Sequence, residues 1–339
     1  MRIGILTAGG DCPGINAAIR GVAKTAIVNY QMQVYGISSG FQGLLENSYF
    51  RMDEFHLSGL LTLGGTILGT SREKPFKKTK DNKQTIDKPE LIRKNYKKLQ
   101  LDCLVCIGGN GTMNTAYLLS KEGLNIIGIP KTIDNDIWGT DLSFGFDSAL
   151  TIATEAIDRL HTTANSHKRT MVIEVMGHHA GWLALYSGIA GGGDVILIPE
   201  IGYNMDVITK YLKKRDNNLK PYTIIVVAEG IDCPKNISAS SYIAQELHKQ
   251  SGHEIRETKL GYIQRGGAPS PMDRILATRF GAHATSLIAE QKFGRMVNLK
   301  DNNISSLSLK EVAGRLNKVP LDFKLIINAK QMGTCFGTD

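Results

Sequence analysis

Two apolar runs in this chain each break into glycine and then into a helix-start pattern, and that pairing restricts the fold more than any other feature. Arg2-Ile3-Gly4-Ile5-Leu6-Thr7 leads into Gly9-Gly10-Asp11-Cys12-Pro13-Gly14, and Leu104-Val105-Cys106-Ile107 leads into Gly108-Gly109-Asn110-Gly111-Thr112. Each reads as strand, tight turn and helix start, which turns backbone N–H groups and a helix N-terminus toward an anion. Behind the second turn comes Pro130-Lys131-Thr132-Ile133-Asp134-Asn135-Asp136. Carboxylates close to phosphate cradles point to phosphoryl transfer, because one carboxylate can take a hydroxyl proton and another can hold a metal.

The same alternation runs through the whole chain. Strand-like runs fall at 2–7, 33–37, 102–107, 126–129, 170–176, 194–198, 222–228 and 258–263. Helical spacing marks 15–29, 148–164, 179–190, 205–214, 239–250 and 272–290. Strands separated by helix-length segments predict an α/β fold of mainly parallel sheets with helices on both faces. A chain of 339 residues fits one large α/β unit or two domains. Weak seams near 137–146 and after Gly252 predict two doubly wound lobes, 1–145 plus 259–305 and 146–258 plus 306–339. The lysine-rich stretch 73–84 lacks periodicity and is expected to be an exposed loop.

Composition excludes several classes. No stretch approaches the ~20 apolar residues of a bilayer span, and the N-terminus enters a strand pattern without a secretory signal. The net charge is +8, but the lysines are mixed with acids and not interleaved with aromatics, so no nucleic-acid face is expected. Five scattered cysteines fit a reducing, cytoplasmic setting. Cys103 and Cys106 form a C-x-x-C, but their odd separation within a strand puts them on opposite faces, which argues for core packing rather than redox chemistry.

Each candidate also has a plain structural reading. A glycine turn can simply satisfy backbone geometry, and Thr112 can cap its helix. Asp134-Asn135-Asp136 can be a solvated turn. Position favours function for the acidic run, because it follows the apolar strand at 126–129, where a doubly wound sheet opens its crevice, with Lys131 beside it to offset charge. Arg72, Arg169, His178, His179, Glu229 and Arg265 are each ordinary alone; their shared position near strand ends, and the fit of arginine forks to phosphate, is what marks them.

Together these residues resemble phosphofructokinases, enzymes that phosphorylate fructose 6-phosphate. The resemblance spans the chain and is carried by 6–14, Pro130 to Asp136, Glu174-Val175-Met176-Gly177 and Leu260-Gly261-Tyr262-Ile263-Gln264-Arg265-Gly266-Gly267. It implies two α/β lobes with the active site between them. It implies that Asp134 is the base for the sugar 1-hydroxyl, that Thr132 helps hold the reacting phosphate, and that Asp136 acts near the metal, with Lys131 beside them as a further catalytic candidate that offsets charge. Gly10, Arg72, Gly109, Asn110, Gly111 and Thr112 would surround the donor, and Asn110 with Asp136 would serve Mg²⁺. Met176, Gly177, His178, Glu229, Tyr262 and Arg265 would line the sugar phosphate, with Arg169 and Arg256 reaching it from a neighbouring subunit of a homo-oligomer, a tetramer. The implied activity is that of a cytoplasmic glycolytic kinase making fructose 1,6-bisphosphate with ATP.

Four departures from the family pattern matter. Asn110 stands where ATP-using relatives usually carry Asp, and hard cations favour carboxylates. Lys131 resembles the pyrophosphate-using branch, whereas Gly111 leaves room that pyrophosphate users fill with Asp. His178 replaces an active-site Arg and Tyr262 replaces a His. At the effector site of bacterial relatives, Arg20 and Lys24 are retained, but His161 replaces a basic ligand and 217–221 lacks the usual basic cluster, so weak or absent regulation is expected. Two rivals stand beside the ATP-dependent reading: a pyrophosphate-dependent phosphotransferase, and a catalytically silent subunit that binds sugar phosphate or nucleotide. A lipid or NAD kinase is a more distant one.

Overall fold

The computed structural model of the protein describes residues 1–77 and 87–338. The loop expected over 73–84 is therefore seen only as far as Lys77, in turn and bend conformation; its remainder lies outside the described residues. The chain divides into two compact units: Met1–Thr132, Ile137–Asp147 and Arg265–Arg315 form the first, and Ile133–Asp136, Ser148–Gln264 and Leu316–Asp339 the second.

In the first unit the order is β1 (Arg2–Ala8), α1 (Ile15–Tyr30), β2 (Gln33–Ile37), α2 (Gly40–Glu46), β3 (Tyr49–Met52), α3 (Glu54–Leu57), α4 (Lys88–Lys98), β4 (Cys103–Gly108), α5 (Asn110–Lys121), β5 (Ile126–Thr132) and β6 (Phe144–Gly145). The second unit holds α6 (Phe146–His167, whose first two residues count with the first unit), β7 (Thr170–Val175), α7 (Trp182–Ala190), β8 (Val195–Leu197), α8 (Met205–Asn217), β9 (Thr223–Ala228), α9 (Ala239–Ser251) and β10 (Ile255–Lys259). The chain then returns to the first unit for α10 (Pro271–Ala289), β11 (Arg295–Lys300), β12 (Asn303–Ser308) and α11 (Leu309–Val312), and ends in the second with α12 (Lys324–Gln331).

Among the described residues the first sheet runs β12-β11-β5-β4-β1-β2-β3, with β6 continuing beside β5. Its centre is parallel, and only the edge pairs β2–β3 and β11–β12 are antiparallel. Strand alternation sorts the side chains by face. Leu6, Ala8, Leu104 and Cys106 pack with Phe41, Leu44, Ile92, Met113 and Leu119 of α2, α4 and α5, whereas Cys103 is buried outside that cluster. All five cysteines are free thiols. The second sheet, β10-β7-β9-β8, is parallel throughout. Its central strands are buried along their full length, as strands covered on both faces must be.

Three differences from the sequence expectation have physical causes. The run 258–263 is not one strand: β10 stops at Lys259 and a tight 3-10 turn, Gly261–Arg265, follows, because Gly261 adopts a left-handed φ of +52° that ends an extended strand. β11 and β12 form a hairpin absent from the reading, since β12 is a polar, half-exposed edge without alternation. The seams fall at 132/133, 136/137, 147/148, 264/265 and 315/316; the later ones follow because β10 pairs with β7 of the second sheet and the β11–β12 hairpin with α11 stays on the first.

Helices α1 and α10 cross at glycine. A Cβ on Gly281 would lie 2.6 Å from the backbone N of Val22, and one on Gly21 would lie 2.8 Å from Thr278 O. The clash is with backbone, which cannot swing away. Gly281→Ala is therefore expected to destabilise the protein by about 1–2 kcal/mol, an overpacking cost at the upper end of ~1–3 kcal/mol outweighing the roughly 1 kcal/mol an alanine gains in a helix. Urea unfolding checks this; an unchanged or raised midpoint would contradict the close crossing.

Candidate active site

Parallel pairing of β1 with β4 puts Ala8 opposite Gly108, and β4–β5 pairing puts Gly108 opposite Pro130. The chain leaves β1 toward β2 on one side and later returns to β4 on the other, so β1/β4 is the point where strand order reverses and a crevice opens at the carboxyl ends. Both glycine turns emerge there side by side. Their glycines are required: Gly9 has φ +85°, and a Cβ on Gly108 would lie 2.2 Å from Thr112 Oγ1. Thr112, buried in the first turn of α5, donates from Oγ1 to Ala8 O at 3.4 Å and ties the second turn to the first.

Lys131, at the end of β5, is buried and its Nζ donates to Gly10 O. Thr132 ends the same strand, and its carbonyl accepts from Ser143 Oγ at 3.0 Å. Arg265 also belongs to this unit, with Nη1 donating to Asp11 O at 3.1 Å and the guanidinium packed over Gly10. It thus stands against the first glycine turn. Arg72 is exposed at the end of a loop bonded to the same turn: Gly9 N donates to Ser71 O at 2.9 Å, and Thr70 Oγ1 to Gly9 O at 2.7 Å. Asn110 opens α5, and a Cβ on Gly111 would meet nothing within 4 Å, so the helix start faces open space there.

In the second unit, Val175 lies opposite Ala228, which brings the Met176-Gly177-His178 turn beside Glu229 at the carboxyl end of that sheet. Met176 N donates to the buried Gln264 Oε1 at 3.2 Å and Glu229 N to Val175 O at 2.9 Å. Gly177 has φ +127°, and His178 and His179 are exposed with ring centroids 4.5 Å apart. Tyr262 is exposed on the 3-10 turn. Arg169 and Arg256 share one carboxylate, Glu254, at 2.8 and 2.6 Å. Arg169 above all holds the Glu254 carboxyl below its usual range.

Asp134 and Asp136 group with the second unit, half-buried and buried respectively. The run turns at Asn135, whose φ of +50° is one an Asn tolerates. Asn317 holds the turn in place: its N–H donates to Asp136 O at 2.9 Å and its Nδ2 to Asn135 O at 2.9 Å, while its own carbonyl accepts from Trp182 Nε1 at 2.8 Å. Sequence reading missed Asn317, and no local signal marks a partner 182 residues away. It also missed Glu174 as a pin. This buried carboxylate accepts from Ser240 N at 2.9 Å, Ser240 Oγ at 3.1 Å and Lys259 Nζ at 3.0 Å, which ties β7 to α9 and β10.

The residues weighed for effector binding are partly committed to the fold. His161 is bonded to Tyr222 Oη at 2.9 Å and Gly191 O at 2.6 Å. Arg20 and Lys24 line a cavity of about 330 Å³ with Glu54, Leu57, Ser58 and Gly59.

The phosphofructokinase family model matches residues 2–288. The chain belongs to the phosphofructokinase family. It is 62% identical to the ATP-dependent 6-phosphofructokinase 3 of Bacteroides thetaiotaomicron, over 99% of this chain and 100% of that one. It is 54% identical to the ATP-dependent 6-phosphofructokinase of Spirochaeta thermophila, over 98% and 97%. The structure superposes on phosphofructokinase from Saccharomyces cerevisiae with a TM-score of 0.83 and 30% identity, covering 92% of this chain and 45% of the yeast chain, so this chain spans less than half the length of that one. The α/β fold of mainly parallel sheets is that of the family.

Cys12 lies inside the first glycine turn, fully buried, with its Sγ toward Phe144 O at 3.7 Å. Burial pushes its thiol up to about 12, outweighing the opposite pull of Lys131. The thiolate is the reactive form. At pH 8 iodoacetamide should therefore leave Cys12 unlabelled in the native protein and label it after urea unfolding; mass spectrometry showing prompt native labelling would contradict the closed turn.

Proposed function

We propose that this phosphofructokinase transfers a phosphoryl group from ATP to the 1-hydroxyl of fructose 6-phosphate, giving fructose 1,6-bisphosphate. The observation that carries the reading is the pair of glycine turns at the β1/β4 reversal, with Lys131 and Thr132 ending the adjacent strand and open space at Gly111. A turn of backbone N–H groups beside a helix start suits the donor phosphates, and the space at Gly111 suits a nucleotide larger than pyrophosphate. The names of the Bacteroides and Spirochaeta relatives point the same way.

In this reading Asp134 takes the proton of the attacking hydroxyl, and Thr132, Lys131, Gly10 and Arg72 hold and neutralise the moving phosphoryl group. Gly109, Asn110, Gly111 and Thr112 surround the nucleotide. Met176, Gly177, His178, Glu229, Tyr262 and Arg265 receive the sugar phosphate. Arg169 and Arg256, already paired on one carboxylate, act as a unit toward the sugar phosphate of a neighbouring subunit, in a homo-oligomer of four.

Among the described residues no group of three or more His, Cys, Asp or Glu could hold a metal ion. A sparse set of one carboxylate and one amide, Asp136 and Asn110, is the kind that suits Mg²⁺ arriving with the nucleotide, since Mg²⁺ keeps several waters and takes one or two carboxylates plus substrate phosphates. Asp136 and Asn110 would be the chain's contribution, and the ion would supply charge neutralisation on the phosphates. No helix among the described residues is long and apolar enough to cross a membrane.

A coupled assay of the purified protein with ATP and with pyrophosphate decides the donor: turnover with ATP is expected, and turnover with pyrophosphate alone would overturn the donor reading in favour of the rival that Lys131 suggests. Replacing Asp134 with Ala should lower kcat by about 10²–10⁴-fold with the melting temperature nearly unchanged. A variant that keeps normal turnover would remove Asp134 from the role of base.

A further inference from the structure

One fully buried side chain of the first unit has no part in the reading above. Asn16 sits two positions past the first glycine turn, in the first turn of α1, with no exposed surface. Its amide is turned toward the loop that leads to Arg72: Nδ2 donates to Leu63 O and to Gly64 O, both at 3.1 Å, and Oδ1 accepts from Ile67 N at 2.9 Å. The stitching continues along the loop. Thr7 Oγ1, buried in β1, donates to Gly69 O at 2.6 Å and contacts Thr66 Oγ1 at 3.0 Å, and Thr66 Oγ1 accepts from Leu68 N at 3.2 Å. Thr70 Oγ1 and Ser71 O then close on the two backbone groups of Gly9.

Residues 63–71 have no regular secondary structure of their own. Buried backbone groups must be paired, and in this loop β1, its glycine turn and α1 supply much of the pairing. The loop and the turn are thereby coupled: the segment that ends in Arg72 cannot move without breaking bonds to the turn that carries Gly10. We infer that Asn16 is a positioning residue, fixing the Arg72 loop against the first glycine turn so that the cation and the backbone N–H groups address the same donor phosphates. The inference deepens the proposed function and rests on its placing of Arg72 and Gly10 at the donor.

The purely structural alternative is that Asn16 only satisfies loop carbonyls, and the two roles differ in what they change. In Asn16→Ala, KM for ATP should rise about tenfold while KM for fructose 6-phosphate stays within about twofold, because misplacing a holding group by a fraction of an ångström weakens its own ligand selectively. Asn16→Asp keeps the acceptor for Ile67 but sets a carboxylate against two carbonyls, and should show the same split. In an Arg72→Ala background the Asn16 substitution should change KM for ATP by less than about twofold, the non-additivity expected of residues acting through one another.

Equal changes in both KM values, no change in either, or multiplicative effects with Arg72→Ala would overturn the inference. Should Asn16→Ala fail to fold by thermal melting, Thr70→Val removes one bond of the same clamp while keeping shape. It should raise KM for ATP in the same direction, and an unchanged value would overturn the inference. Wild-type protein without ATP turnover would sink the donor reading instead; calorimetric ATP binding then decides the positioning role separately, equal affinity in wild type and Asn16→Ala, or no binding by either, counting against it.

Discussion

The in-register parallel pairing of β1 with β4 is the constraint on which the arrangement of the two glycine turns depends. With Ala8 opposite Gly108, two turns distant in sequence leave the sheet as neighbours, and the helices that follow them start from the same edge. A slip of one residue would send every side chain of β1 to the opposite face and separate the turns. The pairing also explains the residue types around it: Gly108 leaves space for Thr112, and Thr112 in turn bonds back to Ala8. Lys131 reaches Gly10 across the end of β4, the strand that lies between β5 and β1.

The second unit follows the same rule with a smaller sheet. Its parallel strands bring the Met176 turn and Glu229 to one end, and the buried Glu174 holds that end together. A carboxylate out of water is costly unless hydrogen-bonded and paired. Ser240 and Lys259 meet that need, which makes Glu174 a fastening rather than a reactive group. The acidic run is held in another way: Asn317 bonds the carbonyls of Asn135 and Asp136, so the shape of the run is set through its main chain.

Much of this was legible in the linear pattern. Buried parallel strands are nearly continuous apolar runs, so β1, β4, β5, β7 and β9 stood out, and the glycines that follow β1 and β4 marked turns. The elements that were not legible are those whose local composition carries no such signal. β12 is a polar edge, α4 lies in a lysine-rich stretch, and the break after β10 depends on the backbone at Gly261. Residue type alone did not place Arg265 against the first glycine turn, because an arginine at a strand end can serve any nearby anion or carbonyl.

The sequence by itself determined the alternation of strand and helix, the positions of the two glycine turns, the acidic run and the membership of a family. The first three follow from propensities and periodicities that act over a few neighbouring residues, the last from motifs that resemble those of phosphofructokinases. Only the tertiary structure decided which turn stands beside which, that Asn16 grips the loop before Arg72, that Asn317 secures the Asp134 segment, and that Arg169 and Arg256 meet on Glu254. Those partners are far apart in the chain, and a buried amide or carboxylate selects among many chemically equivalent partners only once strand register and burial have brought a few of them within reach.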